Sequence, residues 1–157
     1  MVIVPQITCY TCVLACLESV LKDQGISFSQ EGLIEKFPAA CQKGTAIEGA
    51  VDFSKLTDLV KELGFNCCIA DLTKQRVANR FPLLLLEARK QIDGGYLLAT
   101  RHWKKGDNQK HCVRLKGVAC SGDGIEVMNP NPGVLEVWSE QDVIDRDCFI
   151  IRMEKRQ

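Results

Sequence analysis

The chain has 157 residues, 46% of them apolar and 25% charged, the length and make-up of one soluble globular domain. Its 20 basic and 20 acidic residues cancel, so no basic excess points to nucleic acid and no polybasic run to a membrane surface. The opening MVIVPQIT lacks the charged start and long apolar run of a signal peptide, and the apolar run at 83–86 is far too short to span a bilayer. A single domain over 1–157 is therefore expected, cytoplasmic or exported without a cleaved signal, with no oligomeric state indicated.

After an extended lead over 2–5, Val13, Cys16, Leu17, Val20 and Leu21 fall on one face of an amphipathic helix that begins at Cys12. Thr11 is its expected N-cap and Gly25 its stop. Ser29 caps a second helix over 30–37, ended by Pro38. Residues 39–51 read as loop. Ser54 is expected to cap a third helix, buried through Leu56, Leu59, Val60 and Leu63 and stopped by Gly64. The pattern then changes: a strand over 65–72, a short helical piece over 73–81, and an apolar strand over 82–87. Strands follow over 96–102 and 111–118, and a tight turn at 121–124 leads into a hairpin partner over 125–129. Past the rigid 129–133 come a strand over 134–138, a helical turn capped by Ser139, and a last strand over 149–153. Helices lead and closely spaced strands follow, which argues for an α+β fold with a helical layer on a mostly antiparallel sheet.

Nine cysteines is a high and odd number, and reduced thiols are expected, most of them as small buried residues, Cys9 among them. Cys12 differs by its place at the first turn of a helix, where free N–H groups and the helix dipole favour a thiolate. Gln6, six residues earlier, can donate to an oxyanion beside that thiol. A thiol nucleophile needs a base and a group to orient it, and the chain has only two histidines. His111 opens a strand whose hairpin partner ends at Asn129, so the two are expected side by side. Cys12, His111, Asn129 and Gln6 make a complete catalytic set. His102, beside Trp103 and two lysines, shows no orienting partner. Taken singly, each residue has a bland reading as a surface histidine or a turn asparagine before proline; the argument lies in the ensemble.

The pattern resembles the bacteriocin-processing (double-glycine leader) cysteine peptidases of the papain-like superfamily. Gln, five residues and then Cys at the head of a helix rich in Ala, Cys and Leu is matched by Gln6, Cys12, Ala15-Cys16-Leu17 and Gly25. Leu63-Gly64-Phe65 matches the family's helix end. His111 and Asn129-Pro130-Asn131-Pro132-Gly133 match its strand-opening histidine and the Asp-Pro-x-x-Gly that follows a hairpin. The resemblance runs from Gln6 to about Val143. It implies a papain-like fold, a peptide or protein substrate, hydrolysis through a thioester, and no metal or organic cofactor. Two residues depart from the pattern. Val13 stands where the family usually has glycine, which threatens the cleft or the oxyanion N–H. Asn129 replaces aspartate, as asparagine does in papain itself. The 157 residues contain neither an ATPase nor a membrane part, so the exporters' substrate does not carry over.

Rival readings use the same residues. Cys9-Tyr10-Thr11-Cys12 is a C-x-x-C at a helix start, but too little chain precedes it for a thioredoxin-like fold. A zinc site lacks a second properly spaced pair, because Cys67 and Cys68 are adjacent. A deamidase or transferase acting on a protein side chain forms the same acyl-enzyme. A peptide-binding module with a relic site is the remaining alternative.

Overall fold

Short polar side chains cap two of the helices and the turn that leads into a third. The computed structural model describes residues 1–90 and 92–157. Helix α1 spans Cys12–Asp23, α2 Gln30–Lys36, α3 Leu56–Glu62, α4 Val77–Ala88 and α5 Glu140–Arg146. Ser29 caps α2 by accepting from Gly32 N, and Ser139 forms a capping box with Asp142 at α5. The third helix starts differently from expectation. Asp52 accepts from Ser54 N and opens a 3-10 turn, Phe53–Lys55, that runs into α3. Aspartate one step earlier takes the free N–H, and Ser54 becomes part of the turn. Gly25 and Gly64 follow their helices at φ +73° and +96°, the left-handed region in which a residue without Cβ is unstrained.

The strands are β1 Phe65–Asp71, β2 Gly94–Thr100, β3 His111–Val118, β4 Gly124–Asn129, β5 Val134–Ser139 and β6 Cys148–Lys155. They form one antiparallel sheet in the order β1-β6-β2-β3-β4-β5. The N-terminal helices pack on it, which is the expected α+β arrangement of a helical part against an antiparallel C-terminal sheet.

The sheet is covered on both faces. Leu97, Ala99, Cys112, Met128, Ile151 and Met153 meet the buried residues of α1, α2 and α3. Tyr96, Leu98, Val113, Val127, Ile150 and their neighbours form a second core with Phe81, Leu84 and Val143. Burial on both sides explains why 96–99 reads as uninterrupted apolar chain instead of alternating.

The second cover is where the sequence reading fails: 82–87, expected as a strand, lies inside α4. Phe81, Leu84, Leu85 and Ala88 fall at helical spacing on the core side, while Leu83 and Leu86 stay exposed. Pro82 removes a backbone bond and costs about 3 kcal/mol in a helix interior; burial of Phe81 and Leu84 offsets a penalty of that size. No helix among the described residues is long and apolar enough to cross a membrane.

Candidate active site

Cys12 is the first residue of α1, and its thiol lies against the backbone N–H groups of Cys12 itself, Val13 and Cys112. The helix thus meets the sheet at the second residue of β3, immediately after His111. Burial pushes the Cys12 thiol up to about 12, the Cys112 thiol adds to this, and the three N–H groups pull the other way without prevailing. The expectation that the helix start yields a resting thiolate is therefore corrected: the N–H groups are in place, but desolvation outweighs them.

Thr11 occupies the N-cap position yet its side chain caps nothing. Its Oγ1 turns back to accept from Ile7 N and Thr8 N, both at 3.0 Å. This staples the turn before the helix and leaves the first N–H groups of α1 uncapped. Gly49, at φ +94°, passes over Thr11 so closely that a Cβ there would sit 2.6 Å from Thr11 Cγ2. Val13 points its side chain into the core and presents only its N–H to the thiol.

His111 and Asn129 are both buried, and His111 Nε2 stands 2.8 Å from Asn129 Oδ1. The β3–β4 register, Arg114 opposite Met128, brings the open ends of the hairpin together as expected. Burial holds the His111 pKa below its ordinary 6.5; the Asn129 bond and the Glu136 charge raise it, and Arg146 lowers it. His111 Nδ1 has no hydrogen-bond partner among the described residues, Cys12 included.

Gln6 is delivered by the N-terminal lead. Its backbone N–H donates to Pro130 O at 2.8 Å, one residue past Asn129. Gln30 grips the lead on either side: Nε2 donates to Pro5 O at 2.9 Å, and Oε1 accepts from Ile7 N at 3.0 Å. The Gln6 amide gives one hydrogen to Thr8 O at 2.9 Å and keeps the other; its Oε1 is buried without a partner. The four residues named from the sequence thus lie along one series of contacts. Gln6 joins the Asn129–Pro130 corner, Asn129 joins His111, and the residue after His111 joins Cys12.

His102 is not in that series, but it does not lack partners. Its Nδ1 meets Asp107 O, and its Nε2 stands 3.4 Å from Asp147 Oδ2. It anchors the loop 101–110. Asp107 folds that loop by accepting from Trp103 N, Lys104 N and Gln109 N. Two residues of the site were not read from the sequence. Trp103 stacks on His111, and Glu136 accepts from Asn129 Nδ2 at 3.1 Å. Glu136 did leave a signal, as an acid two residues before the inward-facing Trp138 on a short strand; Trp103 left none.

Cys9 is exposed, not the buried residue expected, and both Cys9 and Cys12 are free thiols. Of the nine cysteines only Cys16, Cys41, Cys112 and Cys148 are buried. Among the described residues, no group of three or more His, Cys, Asp or Glu side chains is placed to hold a metal ion.

No protein-family model and no curated protein matches the chain. Solved structures do. The chain is similar to the peptidase domain of Streptococcus ComA, a bi-functional ABC transporter involved in quorum sensing, at 18% identity and a TM-score of 0.64, over 99% of this chain and 98% of that one. It is similar to a double-glycine-motif protease from an AMS/PCAT transporter, solved with its leader peptide, at 14% identity and a TM-score of 0.62, over 98% and 91%. The peptidase domain of Streptococcus mutans ComA matches at 17% identity and a TM-score of 0.56, over 96% and 97%. The chain has the fold of these peptidase domains along nearly its whole length.

Proposed function

We propose that the chain is a cysteine peptidase working through Cys12, His111 and Asn129, with Gln6 at the oxyanion. The observation that carries this reading is the 2.8 Å bond from Asn129 to His111 Nε2, which leaves Nδ1 free at the strand end that holds the Cys12 thiol. A thiol pushed up to about 12 beside an imidazole held below 6.5 suits a neutral pair, in which His111 acts as general base at the moment of attack. Nδ1 takes the Sγ proton as sulfur attacks the carbonyl carbon. The oxygen gathers negative charge against the Cys12 N–H and the spare Gln6 Nε2 hydrogen. His111 returns the proton to the leaving nitrogen, and the acyl group stays on sulfur as a thioester. Water, deprotonated by the same imidazole, then releases the acid. This sequence requires the site to tighten, bringing Nδ1 to the thiol as substrate binds.

The substrate in this reading is a peptide or protein met in the cytoplasm. A leader ending in two glycines is the first class to test, because the related folds include a protease for that motif. The test is incubation with such leaders and with a whole proteome, reading new termini and Gln-to-Glu changes by mass spectrometry against a Cys12→Ala control. Cys12-dependent termini support the peptidase. Gln-to-Glu changes without new termini would replace it with a deamidase, and neither product would leave a binding module.

A further inference from the structure

We propose that Glu136 is a positioning residue of this site, whose carboxylate fixes the Asn129 amide and, through it, which nitrogen of His111 carries the hydrogen. The proposal rests on the hydrolase reading above and adds a fourth member from β5.

The Asn129 side chain makes three hydrogen bonds. Oδ1 lies 2.8 Å from His111 Nε2 and accepts from Asn131 N at 3.1 Å. Nδ2 donates to Glu136 Oε1 at 3.1 Å. A backbone N–H can only donate and a carboxylate can only accept. Asn131 and Glu136 therefore settle which end of the amide is oxygen without any reference to the histidine. With Oδ1 facing it, Nε2 must carry a hydrogen. In the neutral imidazole Nδ1 is then the bare lone pair, and a general base needs that lone pair facing the thiol.

Glu136 is itself held firmly. Its Oε2 accepts from the indole N–H of the buried Trp138 at 3.1 Å. The register pairs Val127 with Glu136 and Ile125 with Trp138, so both side chains share the face that carries Asn129. Each carboxylate oxygen thus receives a hydrogen from a different side, and the charge reaches His111 through one amide. That charge favours the protonated imidazole formed during attack. Aspartate in the third position supplies it directly; here an asparagine relays it from the next strand.

Glu136→Gln is the discriminating change, because both partners are donors and glutamine has only one acceptor oxygen. If its NH2 faces Asn129, two donors meet there; the Asn129 amide then gives up its bond to residue 136 or turns over at the expense of the Asn131 N–H bond, and in the turned form Nδ2 confronts Nε2 and the hydrogen moves to Nδ1. Three readouts follow on wild type, Glu136→Gln and the double variant Asn129→Asp/Glu136→Gln. They are the pH profile of kcat/KM, the rate of Cys12 alkylation, and the tautomer and pKa of His111 by nitrogen NMR. Glu136→Gln should lower kcat/KM about 10- to 100-fold, the size of loss that follows when the group orienting a metal-bound histidine is removed. It should shift His111 toward the Nδ1–H form and lower its pKa. The double variant, with a carboxylate placed directly on Nε2, should regain most of the rate and the Nε2–H tautomer.

Glu136→Gln with an unchanged pH profile, tautomer and pKa would overturn the proposal, whatever its thermal stability, and leave Glu136 as a brace for Trp138. A protein that cleaves nothing, but whose His111 tautomer follows Glu136, would remove the peptidase reading and keep the positioning role.

Discussion

Trp103 lies flat on His111, with ring centroids 4.0 Å apart and planes 25° from parallel. Its backbone N–H is fixed by Asp107 Oδ1 at 2.9 Å, so the loop 101–110 carries a cover for one face of the imidazole. Burial is the largest cause of the low His111 pKa. Removing the cover with Trp103→Ala should raise that pKa toward 6.5, and the acid limb of kcat/KM should move to higher pH with it. Nitrogen NMR of the ring checks this, and an unmoved titration would place the desolvation elsewhere. Stability follows the same sign. The unfolded chain binds this proton first as pH falls, so stability present above 6.5 erodes as pH drops through the lower folded value. Trp103→Ala should erode less from this group.

The Cys12 thiol gives a second test. With its pKa pushed up to about 12, its reaction with iodoacetamide should be slow at pH 6 and climb steadily through pH 9. A fast plateau at acid pH would instead reveal a preformed thiolate–imidazolium pair. With Cys12 held as a thiol, exposed Cys9 should label ahead of it in the free protein.

The two histidines should separate cleanly, though not completely. If His111 is the base, as proposed, His111→Ala should lower kcat about 10²–10⁴-fold. His102→Ala should spare the chemistry but loosen the loop that carries Trp103, since its ring bridges Asp107 and Asp147. A loss of less than about tenfold, with His111 titrating higher, is the expected result. A dead His102→Ala beside an active His111→Ala would reverse the assignment.

Gln30 holds the lead on both sides of Gln6. Gln30→Leu strands Pro5 O and leaves Ile7 N with Thr11 Oγ1 as its one acceptor, and should cost about 1–3 kcal/mol of stability. If Gln6 works in the transition state, kcat should fall while KM changes little. Denaturant melts and steady-state kinetics decide the matter. Lost stability with unaltered kcat would make Gln30 only a clamp.

Short-range chemistry was legible in the sequence. Ser29 and Ser139 cap where expected, and the β3–β4 hairpin is read directly from the 121–124 turn, which is why His111 and Asn129 could be paired. Long-range choices were not. Nothing local reveals that Leu84 and Leu85 share a helix face beneath the sheet, and Pro82 argues against it. Thr11 has the chemistry of a cap, but Ile7 N and Thr8 N offer its oxygen a nearer donor pair. Trp103 reaches His111 only because Asp107 and His102 fold their loop, a tertiary arrangement with no periodic trace. Burial also decided the resting state of Cys12, and burial depends on what β3 packs against that helix.

The sheet order has a bearing on how the protein is made. β6 lies between β1 and β2, so 148–155 is the only strand that joins Phe65–Asp71 to the rest of the sheet. During synthesis the His111–Asn129 hairpin can form early, since its contacts are close in sequence. The edge strand β1, with α3 packed on it, must wait for the last of these strands to emerge from the ribosome. A chain that stops before Cys148 therefore carries Cys12, His111 and Asn129 without a finished platform beneath them. Released chains cut just before and just after 148–155 should differ sharply in protease resistance, with the packed sheet appearing only in the longer one.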